Sequence, residues 1–166
     1  MDGTLAIDGK THKIDTEQSF VFFERQWGNF HIGKGFYILW IYFETGEVLV
    51  SLSLEPELDG TSQVAFASIW HPNGIHEMIP VGPNSRAQGI STSLTTGLKY
   101  FNEFFLDLPA RDACFTFNKW VRDSELVPLA GQRYITISES YGEGSGRWNG
   151  KNISVQGHVE QLSTLK

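Results

Sequence analysis

One cysteine, Cys114, occurs among 166 residues. No internal disulfide can form, and a cysteine-built zinc site is excluded with it. No apolar run approaches the ~20 residues a membrane-crossing helix needs. The opening residues, MDGTLAIDGKTHKID, hold no apolar core of the secretory-signal kind, so a cytoplasmic soluble domain is expected and the sequon Asn152-Ile153-Ser154 reads as accidental. Lys and Arg number 13 against 19 Asp and Glu, a net charge of −6, and no basic cluster is present. That balance argues against nucleic acid or an acidic membrane surface as a partner. The 5 histidines show no His-x-His or His-Glu-x-x-His spacing, so no metal is expected. His71 and His76 flank an Asn-Gly turn as rim residues, and His76 and Glu77, being adjacent, face opposite ways. No Gly-x-Ser-x-Gly elbow appears. Gly142-Glu143-Gly144-Ser145-Gly146 reads as a flexible loop, and Gly33-Lys34-Gly35 has no helix behind it to make a phosphate loop.

What the chain does have is aromatic strand sequence. Aromatics make up 13% of residues, with 12 Phe and 5 Trp, which suits a sheet with a large apolar interior. Charged residues at 19% and hydrophobic ones at 40% fit one globular domain over residues 1–166. Runs rich in Val, Ile, Phe, Tyr, Trp and Thr alternate with Gly, Pro, Asn and Asp. They predict strands near 4–8, 18–27, 36–44, 47–55, 63–71, 75–81, 98–108, 113–121, 132–141 and 151–162. Turns are expected at Glu44-Thr45-Gly46-Glu47, His71-Pro72-Asn73-Gly74 and Pro109-Ala110-Arg111-Asp112. Between Pro83 and Thr96 lies a long polar loop. About ten antiparallel strands joined by hairpins make an up-and-down barrel or a sandwich.

Two segments carry candidate chemistry. Residues Phe20 to Gly28, FVFFERQWG, begin apolar on both strand faces and end polar. Glu24 and Gln26 share one face, Arg25 and Trp27 the other. The choice is between a buried ion pair fixing the sheet and the edge of a site. In the hairpin around Gly46, a two-residue turn would set Glu44 against Glu47. Tyr42 would then face Leu49, Trp40 would face Ser51 and Ile38 would face Ser53. Large aromatics opposite small hydroxyls leave space, so this mixed face is a candidate cavity lining; an outer face under solvent or a partner is the alternative. Tyr100, Asn102 and Phe104 repeat the mixture on one face of strand 98–108. Trp120 shares its face with Asn118 and Thr116. Cys114, inside ACFTF, reads as an inert buried hydrophobe.

GTLAIDGKTHKI, FFERQWG and LWIYFETGEVLV taken together resemble the lipocalin-like superfamily of hydroxyneurosporene synthases, kievitone hydratases and fungal Diels–Alderase-type pericyclases. Its members carry a Gly-x-Leu-x-(Ile/Val)-x-Gly strand, an aromatic strand ending in Asp/Glu-x-x-Trp-Gly, and a closing Gly-x-(Gly/Ala)-Tyr-x-Glu strand. Here the closing strand is Val155-Gln156-Gly157-His158-Val159-Glu160, with His158 in place of the usual aromatic. The resemblance implies an all-β, antiparallel lipocalin-like barrel of about 8–10 strands with hairpin connections. Relatives usually have two such halves, and this chain looks like the second. It would be a natural single domain, a homodimer or partner of a separate lipocalin-like half, or a piece of a longer protein.

The resemblance further implies a cofactor-independent cyclase, isomerase or hydratase acting on a hydrophobic secondary metabolite: a polyene, terpenoid or epoxide. Such a site needs an apolar chamber that folds the substrate and an acid kept protonated by apolar surroundings. Glu24, Gln26, His158 and Glu160 are the catalytic candidates. Trp27, Trp40, Tyr42, Trp70, Tyr100, Asn102 and Trp120 are the substrate-binding ones. Each has a structural alternative: Glu24 as an ion-pair partner, and the row Gln156, His158, Glu160 as a solvent face. The competing functions are a non-catalytic carrier of an apolar small molecule and an interaction domain whose aromatic surface needs a partner half.

Overall fold

The computed structural model describes residues 2–17, 19, 23, 33–128 and 136–166. The chain divides into two compact units, residues 1–31 and 32–166. In the first, β1 (Thr4–Ile7) and β2 (Lys10–Lys13) form a hairpin, with Ile7 opposite Lys10. Its two-residue turn, Asp8-Gly9, takes positive φ at both positions (49° and 75°), the geometry a twisted hairpin favours and Asp-Gly tolerates. The single strand expected over 4–8 is thus a strand and the start of a turn. The strand expected over 18–27, with Glu24, Gln26 and Trp27, lies almost wholly outside the described residues.

The second unit is nearly all strand: β3 (Gly35–Tyr42), β4 (Val48–Pro56), β5 (Ser62–Trp70), β6 (His76–Pro80), β7 (Arg86–Gln88), β8 (Ser91–Thr92), β9 (Lys99–Tyr100), β10 (Glu103–Leu108), β11 (Ala113–Lys119), β12 (Glu125–Leu126), β13 (Ile137–Trp148) and β14 (Lys151–Ser163). The main sheet is antiparallel and runs β6-β5-β4-β3-β14-β13-β11-β10-β7, with β12 on β13. β8 and β9 form a separate small pair. Neighbours in the main sheet are largely neighbours in sequence, and the last strand returns beside β3, as in an up-and-down barrel. Among the described residues no helix is long and apolar enough to cross a membrane.

Three connections share one loop. In Phe43–Glu47, Glu57–Thr61 and His71–Ile75 the first residue's N–H bonds the fifth residue's carbonyl, and a glycine at the fourth position bonds back to the first. Gly46, Gly60 and Gly74 hold φ near 84°, 83° and 84°. This is the three-residue hairpin loop that ends in a left-handed glycine. Its extra residue corrects the predicted register. Tyr42 faces Val48, Trp40 faces Val50 and Ile38 faces Leu52, while Ser51 and Ser53 face Leu39 and Tyr37. A one-residue slip moves every side chain of a strand to the other face. The aromatic-against-hydroxyl pairing expected for Trp40 and Ile38 therefore does not form.

One face of the sheet is the core. Ile41, Leu49, Ile69 and Ile79 from β3–β6 pack in one buried cluster with Leu106, Leu108 and Phe115 from β10 and β11. β6 and β10 lie near opposite ends of the strand order, so the sheet curls with this face inward. Tyr37, Leu39, Phe101, Phe104, Phe117 and Val159 form a second cluster. The strand edges are tied as well. Gly82 N–H donates to the Asp107 carbonyl at 2.7 Å, and Ala87 N–H to the Gly60 carbonyl at 2.9 Å. His71 sits between Glu47 (3.0 Å) and Glu77 (2.8 Å), and Glu77 also pairs with Arg111. Arg111 belongs to a short 3-10 turn, Pro109–Arg111, that replaces the simple turn expected there.

Four further expectations change. The glycine-rich stretch 142–146 is not a loop but the middle of β13. Its glycines leave room where a Cβ at Gly142 would lie 2.8 Å from the Phe117 ring and one at Gly146 2.8 Å from the Phe115 Cα. The loop Pro83 to Thr96 contains β7 and β8. The strand expected over 98–108 breaks at Phe101-Asn102 into β9 and β10, so Tyr100, Asn102 and Phe104 do not share one strand face. Cys114 is free and half-buried on the outer face, beside Arg147 in a shallow groove.

Candidate functional site

The outer face of β3, β14 and β13 carries a lattice of side chains set by two registers. Across β3–β14 the pairs are Tyr42 with Gln156, Trp40 with His158 and Ile38 with Glu160. Across β14–β13 they are Gln156 with Glu143, His158 with Tyr141 and Glu160 with Glu139. His158 is therefore at the centre. The Trp40 ring lies 5.2 Å from its imidazole on one side and the Tyr141 ring 5.3 Å away on the other. Its Nε2 is 2.6 Å from a carboxylate oxygen of Glu139, the diagonal neighbour.

Burial makes this lattice unusual for an outer face. His158 is 7% exposed, Trp40 6% and Glu160 6%. Strand alternation explains the arrangement: Val155, Gly157, Val159 and Gln161 point to the core side, so His158 and Glu160 must point out. A carboxylate beside one ring nitrogen fixes the imidazole's orientation. Aromatic walls exclude water from one side of that pair. Chemically, the lattice sets an imidazole and a carboxylate against an apolar surface, with a second carboxyl, Glu160, two residues along β14 on the same face.

The structure thus gathers four of the sequence-selected residues, Trp40, Tyr42, His158 and Glu160. The others fall elsewhere. Trp70 is on the same face of β5, half-exposed and stacked on His76 at 4.0 Å. Trp120 follows the end of β11 and is exposed. The amide of Asn102 donates to the Gly89 carbonyl and to the Ser91 hydroxyl. Tyr100 donates its hydroxyl to Glu125 at 2.8 Å. Burial, then the Glu125 carboxylate, pushes the Tyr100 pKa well up. Glu125 also accepts from Ser93 (2.5 Å) and Thr96 (2.6 Å). Burial alone would raise its pKa, but these hydroxyl donors outweigh it and hold the carboxyl below its usual value. Glu24, Gln26 and Trp27 lie outside the described residues.

Glu139 and Tyr141 were missed by sequence reasoning. Their alternation on strand 132–141 was visible, but reading 142–146 as a loop cut β13 short. That hid its long pairing with β14, which places both beside His158.

No protein-family model matches this chain, and no curated protein matches it. Solved structures share its fold, among them the following two. Kievitone hydratase from Nectria haematococca superposes over 99% of this chain with a TM-score of 0.80 and 21% identity. An AttH-like protein from Nitrosomonas europaea superposes over 80% with a TM-score of 0.59 and 15% identity. This chain spans 50% of the first protein and 39% of the second. The likeness defines the fold as an all-β, lipocalin-like barrel.

Proposed function

We propose that this chain acts in a hydratase- or lyase-type reaction on an apolar small molecule, bound over the outer face of β3, β14 and β13. The carrying observation is His158, held against Glu139 at 2.6 Å between the rings of Trp40 and Tyr141. The fold likeness to kievitone hydratase supports the same reading. In the hydration direction, Glu160 donates a proton to one alkene carbon. A water molecule adds its oxygen to the other carbon and passes its proton to His158, which Glu139 orients. Elimination is the reverse. A cyclisation or isomerisation of a polyene would use the same acid without the water. Glu24, Gln26 and Trp27 belong to this proposal on their sequence pattern.

The test uses a panel of prenylated phenols and terpenoid alkenes, with hydrated product followed by mass spectrometry. His158→Gln and Glu160→Gln should each lower kcat/KM by about 100-fold or more, while ligand affinity changes by less than about threefold. Turnover that survives both substitutions unchanged overturns the assignment. Binding without any product from the wild type supports a carrier instead.

A further inference from the structure

A second set of polar groups lies on the core side of the barrel, away from the His158 lattice. Along β11 the inward residues are Ala113, Phe115, Phe117 and then Lys119. An apolar row that ends in lysine places an amine at the edge of the core. Lys119 is 7% exposed, and its Nζ donates to the Ser138 hydroxyl at 2.8 Å. Ser138 is itself buried, and its oxygen is 3.0 Å from the Ser124 hydroxyl. Ser124, just before β12, is only half-buried. The chain of groups therefore runs from a buried amine through a buried hydroxyl to the hydroxyl of a half-buried residue.

Burial pushes the Lys119 pKa down to about 8, against the opposing pull of Asp123. Ser138 on β13 and Asn102, whose carbonyl accepts the Lys119 N–H, are uncharged. At that value about a tenth of the amine is neutral at pH 7. A neutral amine accepts a proton from Ser138, which in turn accepts one from Ser124. The segment bearing Ser124 also carries Trp120, Val121, Leu126 and Val127, all exposed, an apolar surface suited to a short acyl chain.

We propose that Ser124, Ser138 and Lys119 form an acyl-transfer site, with Ser124 as nucleophile, for esters of short apolar carboxylic acids. Ser124 Oγ forms a bond to the ester carbonyl carbon, and its proton passes through Ser138 to Lys119. The carbon–oxygen bond to the alcohol then breaks, and the alcohol leaves with that proton, returned along the same path. Water hydrolyses the acyl-serine by repeating the relay. The chemistry follows the serine–lysine variant of activated nucleophiles. It is independent of the hydratase reading.

The experiment treats the full chain with p-nitrophenyl butyrate and, separately, a fluorophosphonate, and maps adducts by peptide mass spectrometry. The expected adduct is on Ser124, formed at a rate that climbs with pH and levels off above about 8. Ser124→Ala removes it. Lys119→Met slows it by about 100-fold or more, with the fold checked by circular dichroism. No adduct, an adduct on Lys119 or another residue, or an unchanged rate in Lys119→Met overturns the proposal. Should Lys119→Met not fold, a wild-type labelling rate that is flat from pH 6 to 9 overturns it equally.

Discussion

Gly157→Ala is the sharpest probe of how the barrel positions the His158 lattice. Gly157 faces the core directly behind His158, opposite Ile41 on β3. A Cβ there would fall well inside contact distance of the Trp40 backbone carbonyl and 3.0 Å from the Phe117 ring. Carbon and oxygen first touch comfortably near 3.3 Å, so β14 and β3 must part by on the order of 1 Å. The obstacle is backbone and cannot rotate aside. The cost should therefore reach the upper end of the usual overpacking range, about 3 kcal/mol. For a chain of this size that is a fall in Tm of roughly 6–12 °C. The Trp40–His158 ring pair, now 5.2 Å apart, would open with the strands, shifting the imidazole proton resonances. Gly74→Ala is the matched control: it has positive φ but nothing within 4 Å, so it pays backbone strain alone, about 1–2 kcal/mol. Thermal unfolding and histidine NMR of both variants decide the matter. If Gly157→Ala melts no lower than Gly74→Ala and leaves the His158 resonances in place, the reasoning fails.

Glu125→Gln removes the charge that accepts three hydroxyl bonds. Because the folded carboxyl titrates below its ordinary 4.5, its stabilisation is present above that pH and is lost as pH falls through the folded value. Urea midpoints of wild type and Glu125→Gln should therefore differ at pH 7 and converge in acid. Lys119 has the same sign at a higher pH: with a folded pKa of about 8 against 10.5 unfolded, the unfolded chain binds the extra proton, so wild-type stability should rise by up to about 3 kcal/mol across that window, and the rise should vanish in Lys119→Met. Arg111→Met should cost less than about 1 kcal/mol by denaturant unfolding, because its pair with Glu77 is partly exposed and Glu77 keeps His71.

The strand content and the antiparallel meander were legible because period-2 patterning and glycine punctuation are local signals. Register was not. Whether Gly46 closes a two- or a three-residue loop is a difference of one residue, yet it decides which side chains of β4 share a face with Trp40. The β13 glycines misled for a related reason. Gly142, Gly144 and Gly146 look like a flexible stretch until Phe115 and Phe117 are known to lie against them, and that contact is non-local. The pairing of Trp40 with His158 joins residues 118 positions apart, so no window of the sequence contains it. The closing-strand motif of the resemblance and alternation along the last strand single out His158 and Glu160, and neither signal names their partners across the sheet. Lys119 sat unremarked at the end of an apolar strand because burial of its amine depends on strands that arrive later in the chain.

The placement of the core constrains where a substrate can bind. Phe104, Phe115 and Phe117 are almost wholly buried on the inward face, and Phe117 lies against the glycine backbone of both β13 and β14. An apolar ligand inside this part of the barrel would have to displace them. Removing one such ring from a packed core costs about 3–5 kcal/mol, comparable with much of what a small ligand gains on binding. On the outward face the registers of β3, β14 and β13 bring indole, imidazole, phenol and two carboxyls together. The same alternation that sends Val159 and Gly157 into the core sends His158 and Glu160 out. Core packing and site geometry are thus two faces of one strand register, and a substitution that shifts the first must shift the second.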